Sequence, residues 1–418
     1  MNFTPNPLLY GAHEGFLSTF KIVVTMQDNV DYAILLDVVK LAMKRYPYFC
    51  VCPKKDKDSI NLQFNELPVP VFNDGRCVVL GTKESNGHLL AFGCEGQRII
   101  LHASHYIADG MGISPLLMSV VYLYISKKYG ADGINDERIL KPNDPISDEE
   151  YAYPFPKPVL IDNETMQRKA LAQAYPLDAC AFGDQGLYSY HLRIPQRAMM
   201  AVANTSDGSP VSFLSVMLFR ALCSLDTNLN KPVVAHVQHQ YRAALKTPLN
   251  RHSLVRYIPV KIPPTISERS VEVQNTIVRG QIILESQQEN NLSAVNRLVS
   301  VLQDDKALTL PEKQLKMRQY IENSINPKTF GISYVGKMDW CGMERYIEDI
   351  HVYIGEESTP NMLLIEVMTI GEDFSINFMQ SGKGERYLNA FIEQIKKVGI
   401  PVSLVGEEPY ALCKTKIL

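Results

Sequence analysis

The sequence predicts an α/β fold with two lobes, each a mixed sheet flanked by helices. Patterns typical of strands and of helices alternate through the whole chain, and a proline-rich connection divides it near its first two-fifths. Hydrophobic residues make up 46% of the 418 residues, so the chain can bury the cores of two ordinary domains. We place the lobes at residues 1–165 and 166–418 and expect a ligand site in the cleft between them.

The first lobe is expected to contain a strand, a helix and a hairpin in that order. Apolar residues at alternate positions predict a half-buried strand over residues 18–26. Apolar residues then recur at helical spacing from 35 to 46, and Pro47 is expected to end that helix. Two apolar runs, 89–94 and 98–103, are separated by a short turn that contains a glycine and therefore predict a hairpin.

The junction after this hairpin combines a strand end, a glycine-containing loop and a helix start. The strand is expected to end near His105, and the segment Asp109-Gly-Met-Gly follows it. Its two glycines let a substrate or another backbone approach closely. Ser114 as N-cap and Pro115 at the first helical position predict a helix that runs to a stop at Gly130.

A connection and the second lobe follow. Prolines among acidic and polar residues from 136 to 165 indicate a linker or a connection along the surface. The second lobe is expected to hold strands near 188–194, 233–237, 254–262, 330–335, 362–370 and 374–378, and helices near 209–222, 270–323 and 386–398.

The composition argues against several classes of partner. The formal net charge is −3 and both signs are scattered, so neither a nucleic-acid track nor a polybasic membrane segment is indicated. We find no secretory signal pattern, and no apolar run approaches the roughly 18 residues needed to cross a bilayer. The eight cysteines mostly stand singly in apolar stretches, and Cys50-Val-Cys52 has no second pair downstream. We therefore expect buried free thiols in a reducing cytoplasm.

His105 and Asp109 are the residues with the strongest chemical indication. A histidine at a strand end and an aspartate in the next turn also fit a purely structural role. Three features favour a function: the preceding strand is strongly apolar, two glycines follow, and a helix fixes the turn from its other side. Metal binding through this pair would need a third ligand that the sequence does not identify, so we expect no metal.

The segment from Ser104 to Gly112 resembles the His-x-x-x-Asp-Gly signature of the chloramphenicol-acetyltransferase-like acyltransferases. That superfamily includes the BAHD plant acyltransferases, the alcohol acetyltransferases and the condensation domains of nonribosomal peptide synthetases. The layout is also similar, with a strand, a helix ending near Arg45-Tyr-Pro, a hairpin into the signature, a helix and a mid-chain proline-rich connection.

The resemblance implies two lobes with a tunnel between them, in which a thioester donor and an acceptor meet at His105. His105 would take the proton from the acceptor as it attacks the thioester carbonyl, and an imidazole with a pKa near 6.5 suits that task. The implied donor is acyl-coenzyme A or a pantetheine thioester, with an acyl carrier protein as a possible partner. The implied acceptor is a small alcohol or amine, and no permanently bound cofactor is implied.

The resemblance gives Asp109 and Gly110 a supporting role. In the superfamily this aspartate points away from the tunnel and pairs with an arginine, which holds the loop that presents the histidine. Arg242, which follows a strand of the second lobe, is the best-placed partner, and Arg251 and Arg256 are alternatives.

A second-lobe segment and two positions near His105 complete the implied site. Ser333-Tyr-Val-Gly stands where superfamily members have Ser-Asn-x-Gly, so Ser333 or Tyr334 would serve as an oxyanion donor or tunnel residue, or only as sheet. Ser104 replaces the first of two histidines found in many members, which argues against a peptide-synthetase condensation role. His102 lies three residues before His105 on a strand and therefore points to the opposite face, which favours a core or surface role.

Two other functions remain open at the level of sequence. One is a catalytically silent homologue that binds a thioester or a carrier protein without turnover. The other is a hydrolase that uses His105 with an unidentified nucleophile, although no Gly-x-Ser-x-Gly elbow is present.

Overall fold

Two large sheets and ten α-helices form the described part of the protein. The structure is a computed structural model that describes residues 7–12, 18–131, 133–134, 136–155, 173–184, 186–301, 308–325, 328–355 and 361–417. The helices are α1 (Tyr32–Ala42), α2 (Gly110–Tyr129), α3 (Asp148–Tyr151), α4 (Gln196–Ala203), α5 (Pro210–Leu225), α6 (Arg242–Leu245), α7 (Val271–Glu285), α8 (Gln288–Ser300), α9 (Leu310–Ile325) and α10 (Arg386–Lys397).

Sixteen strands lie in the same part of the chain. Those of the first half are β1 (Thr19–Met26), β2 (Val51–Lys55), β3 (Ile60–Phe64), β4 (Val71–Phe72), β5 (Val79–Leu80), β6 (Leu90–Glu95) and β7 (Arg98–Ser104). Those of the second half are β8 (Tyr188–Pro195), β9 (Val233–Gln240), β10 (Val255–Ile262), β11 (Phe330–Lys337), β12 (Ile347–Ile354), β13 (Leu363–Ile370), β14 (Asp373–Gln380), β15 (Ser403–Pro409) and β16 (Lys414–Thr415).

The first sheet has five strands in the order β12-β1-β7-β6-β4. Strand β1 pairs antiparallel with β7, and the predicted hairpin of β6 and β7 is present. Phe20, Ile22 and Val24 alternate along β1 and enter one hydrophobic core together with the apolar residues of α1 and α2. The strand, helix and hairpin predicted for the first lobe are therefore confirmed, although α1 ends at Ala42, before Pro47.

The second sheet has seven strands in the order β10-β9-β11-β13-β14-β8-β15. Strand β11 pairs parallel with β9 and with β13, and the other neighbours are antiparallel, so the sheet is mixed. Every second residue along β8, β13 and β14 packs with α5 and α10 into a separate core. The alternate residues on the opposite face of these strands contact the first sheet, both in an apolar cluster with Leu364 and Met379 and through hydrogen bonds of Asn377.

Segments from the second half of the chain complete the first lobe. Strand β12 pairs antiparallel with β1, and β16 pairs parallel with β5. Helices α8 and α9 also contribute buried residues to the first core. The boundary expected at residue 165 falls outside the described residues, and the β12 crossover means that no single cut there separates the two sheets.

Strand β12 was not predicted; one of its faces packs Ile350 into the first core, and the opposite face carries Asp349 and His351. Asp349 forms an ion pair with Arg193 of β8, and the His351 Nδ1 atom lies 2.9 Å from the Asn377 side-chain oxygen. The rings of His351 and His191 stack with their centres 3.9 Å apart. These contacts join the facing surfaces of the two sheets, so polar residues are buried where an apolar strand face was expected.

Helix α2 begins four residues earlier than its expected N-cap. Asp109, not Ser114, is the N-cap, because its carboxylate accepts a hydrogen bond from the Gly112 backbone N–H at 2.7 Å. Pro115 therefore lies inside the helix, and the Ser114 hydroxyl donates to the Gly110 carbonyl oxygen at 2.6 Å. The predicted end is confirmed, since Gly130 adopts a left-handed conformation with φ of 65°.

Helix lengths and cysteine exposure complete the description. Within the described ranges no single helix is long and apolar enough to cross a bilayer, and only the pair Gln196–Ser206 and Pro210–Leu225, bent by 86°, meets that test together. All eight cysteines are free thiols. The expectation that they are buried is wrong for Cys77 and Cys180, which are exposed.

Candidate active site

His105 is the first residue after β7 and lies in the turn that leads to α2. Its backbone N–H donates to the Ser18 carbonyl oxygen at 2.6 Å, so β1 holds the start of the turn. Its half-buried ring lies 4.6 Å from the Phe20 ring, measured between centres. The imidazole is therefore held between a sheet and a helix rather than on a free loop.

The surroundings of His105 favour the neutral imidazole. Loss of solvent around the ring lowers the pKa of His105 below its ordinary value, and this effect outweighs the nearby Asp109 carboxylate and a hydrogen bond with the Ala108 backbone. A neutral imidazole can accept a proton at neutral pH.

Asp109 uses both carboxylate oxygens in structural hydrogen bonds. Oδ1 accepts from the Gly112 N–H and from Arg242 Nη2, the latter at 2.8 Å. Oδ2 accepts from Arg242 Nη1 at 2.7 Å and from the Leu254 backbone N–H at 2.9 Å. Asp109 is buried, and four donors occupy its two carboxylate oxygens.

The contact expected between Asp109 and Arg242 is present and joins the two lobes. Arg242 begins α6, directly after β9 and Tyr241, and its guanidinium makes a two-pronged ion pair with the carboxylate. The same guanidinium donates to the Asn250 and His252 carbonyl oxygens at 2.9 and 2.8 Å. Both side chains are nearly inaccessible to solvent, at 7% and 2% exposure.

The alternative arginines lie elsewhere. Arg256 Nε donates to the Asn291 side-chain oxygen at 2.9 Å. Arg251 Nε lies 3.8 Å from a carboxylate oxygen of Glu150. Neither has a described contact with Asp109.

A second buried ion pair supports the same junction. Arg45 donates to both Glu150 oxygens at 3.0 and 2.7 Å, and the Tyr48 hydroxyl donates to Glu150 at 2.6 Å. The Arg251 backbone N–H donates to the Glu150 carbonyl oxygen at 2.9 Å. We did not identify Glu150 from the sequence; the signals available were its position three residues after Ser147, which forms a capping box, and the Arg45-Tyr-Pro segment.

At Gly112 the backbones of the two lobes approach each other closely. A Cβ atom at this position would collide with the Arg251 carbonyl oxygen and press on Arg242 Nη2. Gly110 has open space around the position of a Cβ atom. Gly112 therefore admits a neighbouring backbone, and Gly110 has room for a side chain.

We expect Gly112→Ala to destabilise the protein and Gly110→Ala to leave its stability nearly unchanged. Overpacking of this kind costs about 1–3 kcal/mol in the free energy of unfolding. Urea unfolding of the two variants against the parent protein measures the difference. Equal stability of all three proteins would contradict the close approach at Gly112.

The second-lobe segment with Ser333 and Tyr334 lies on β11. The Ser333 hydroxyl donates to Glu366 at 2.9 Å, and Tyr334 Oη lies 3.0 Å from Thr369 Oγ1. Burial raises the pKa of Glu366 to about 8. Within the described part of the chain no hydrogen bond joins either Ser333 or Tyr334 to His105, so their role as oxyanion donors stays a prediction.

Ser104 and His102 have structural positions next to His105. Ser104 is buried, and its hydroxyl accepts from the Tyr106 backbone N–H at 3.3 Å, which stabilises the turn. His102 is also buried, and burial lowers the pKa of His102 to about 3. Its place opposite Lys21 of β1 puts it on the other face of the sheet from the Phe20 contact of His105.

Comparisons with known proteins give likenesses in structure only. No protein-family model matches the sequence, and no curated protein matches it. Polyketide synthase associated protein 5 from Mycobacterium tuberculosis is 14% identical, with 95% of this chain and 97% of that chain covered and a TM-score of 0.60. TRI101 of F. graminearum, solved with coenzyme A and deoxynivalenol, is 11% identical over 95% and 97% of the chains, with a TM-score of 0.61.

SgcC5 of Streptomyces globisporus is a third solved structure that is similar to this chain. It is 12% identical, with 95% of this chain and 94% of that chain covered and a TM-score of 0.53. At such low sequence identity, a similar structure shows a shared fold and does not establish a shared function. The predicted two-lobed α/β fold, with a mixed sheet flanked by helices in each lobe, is shared with these solved structures and is confirmed.

Proposed function

We propose that the protein transfers an acyl group from a thioester to a small alcohol or amine, with His105 as the general base. The observation that carries the proposal is the His105 turn, which the buried Asp109–Arg242 ion pair fixes at the junction of the two lobes. Burial lowers the pKa of His105, which favours the unprotonated imidazole that a general base requires. The fold supports the same reaction class, since solved structures that share it include one with bound coenzyme A.

The proposed reaction needs one proton acceptor, the His105 imidazole, and no bound cofactor. The imidazole takes the proton of the acceptor hydroxyl or amine while the acceptor oxygen or nitrogen attacks the thioester carbonyl carbon. The carbon–sulfur bond of the tetrahedral intermediate then breaks, and the imidazolium returns the proton to the departing thiolate. Ser333 and Tyr334 are our candidates for oxyanion donors, and Asp109, Gly110 and Arg242 are proposed to support the His105 turn.

We propose coenzyme A as the donor carrier, with a pantetheine-bearing carrier protein as the second candidate. Acetyl-coenzyme A, longer acyl-coenzyme A esters and acyl-pantetheine are incubated with a panel of alcohols and amines, and release of free thiol is followed. Thiol release that depends on the acceptor supports the proposal. Donor-dependent thermal stabilisation without any thiol release across the panel would instead favour a catalytically silent binding protein.

The rate is expected to fall at acid pH with a midpoint below the ordinary histidine value of about 6.5. The base must be unprotonated, its pKa is lowered by burial, and the rate is therefore lost only as the pH falls through that lowered pKa. kcat/KM is measured against pH with acyl-pantetheine, because a phosphate group would itself titrate near a pH of about 6. A midpoint at or above the ordinary value would contradict the environment described for His105.

A further inference from the structure

Two thiols and an imidazole meet on the opposite side of the first sheet from the His105 turn. The metal-binding atoms of Cys77, His102 and Cys413 all lie within 4.8 Å of one another. In the part of the chain that the structure describes, this is the one group of three such ligands that we find. The residues are 25 and more positions apart in sequence, so the fold brings them together.

One of the three residues lies on a strand, and the other two lie next to strands. His102 lies on β7, between Lys21 of β1 and Ala91 of β6. Cys77 lies two residues before β5, and Cys413 directly precedes β16, its parallel partner. The Val78 backbone N–H donates to the Cys413 sulfur at 3.3 Å.

The histidine of this group has an unsatisfied nitrogen. His102 is 2% exposed, and among the described residues its Nδ1 atom has no hydrogen-bond partner. A buried polar atom without a partner destabilises the folded protein unless water or an ion supplies the interaction. Cys77 is exposed, so an ion has a route from solvent to the group.

We propose that Cys77, His102 and Cys413 bind one zinc ion. Two thiolates and one imidazole are ligands that zinc favours, and three protein ligands leave the fourth tetrahedral position for water. Two thiolates neutralise a divalent cation, so the loaded site adds no net charge beside Lys21, whose ammonium lies 4.4 Å from the centre of the Tyr353 ring. The site is separate from the proposed acyl transfer and does not depend on it.

A metal at this position would fix the C-terminal segment to the first lobe. The chain leaves the second sheet at the end of β15 and reaches β5 of the first lobe through Tyr410 and Cys413. The Thr19 hydroxyl also donates to the Cys413 carbonyl oxygen. Zinc would therefore stabilise the junction of the lobes on the side away from Asp109 and Arg242.

Cobalt(II) is the probe for this site. The full-length protein, kept reduced with a phosphine, is titrated with Co²⁺, and thiolate-to-cobalt charge-transfer absorption and the d–d bands are recorded. The parent protein is expected to bind one equivalent with both signals, to release the cobalt to zinc, and to gain thermal stability with zinc. Cys77→Ser, at an exposed position, is expected to fold normally and to lose the one-to-one binding and the stabilisation.

Matched variants separate this site from general thiol binding. Cys180→Ser removes the other exposed thiol, in the second lobe, and is expected to behave as the parent protein. His102→Gln is expected to weaken binding and to change the d–d bands. The proposal fails if the parent shows no charge-transfer absorption, if Cys77→Ser binds cobalt unchanged, or if His102→Gln leaves the d–d bands as they are. A Cys77–Cys413 disulfide in air-exposed protein, with no cobalt binding after reduction, would identify a redox pair instead.

Discussion

His105→Ala is expected to lower kcat/KM for acceptor-dependent thiol release by about 10²–10⁴-fold, the usual contribution of a general base. The variant should keep the melting temperature of the parent protein within a few degrees, because the His105 ring is only half-buried and its backbone hydrogen bond to Ser18 does not need the side chain. Thiol release at a saturating acceptor concentration and thermal unfolding are measured on the same preparation.

A second histidine variant serves as the control. His239 is half-buried on β9, and its Nε2 atom lies 3.2 Å from the Asn291 side-chain nitrogen, so His239→Gln changes a histidine without touching the His105 turn. We expect it to retain the parent rate. If His105→Ala releases thiol as fast as the parent protein, the proposed mechanism is wrong.

Breaking the buried Asp109–Arg242 ion pair is expected to have the largest effect on stability. Asp109→Asn or Arg242→Ala should lower the free energy of unfolding by about 3–5 kcal/mol, because each leaves a buried partner without its counter-charge. Activity should fall as well, since the same carboxylate caps α2 and holds the turn of His105. Urea unfolding and the thiol-release assay at a temperature where each variant remains folded measure the two effects.

An exposed ion pair provides the comparison. Arg76 pairs with Asp74 on the surface, where such pairs contribute about 0–1 kcal/mol, so Arg76→Gln should change stability little. An Asp109→Asn variant with full stability and no turnover would contradict the structural role and place Asp109 in the chemistry itself.

The sequence allowed the main elements and the partner of Asp109 to be predicted because both follow from local patterns or from a known signature. The alternation along β1, the hairpin of β6 and β7, and the stop at Gly130 are properties of short segments. Arg242 was found by its place after a strand of the second lobe. The three local elements need no knowledge of how distant segments pack, whereas Arg242 was predicted from the resemblance to a known signature.

Features created by packing between distant segments were not predictable. The start of α2 depends on whether Asp109 or Ser114 caps it, and the Arg242 and Leu254 contacts that hold the Asp109 carboxylate come from the other lobe. Glu150 lies in an acidic connection, and its capping position after Ser147 does not indicate that its carboxylate pairs with Arg45. In the sequence, the polar residues of β12 resemble those of a solvent-exposed segment, because the sheet that buries them is formed by other parts of the chain.

The position of β12 has a consequence for synthesis of the chain. Strand β1 emerges from the ribosome early, whereas the strand that covers its outer edge ends at Ile354. Until β12 has been made, β1 therefore has an unpaired edge, and such an edge invites pairing with other chains. A nascent chain that stalls before residue 347 would carry an incomplete first sheet, so this protein is expected to need protection from aggregation until β12 has been made.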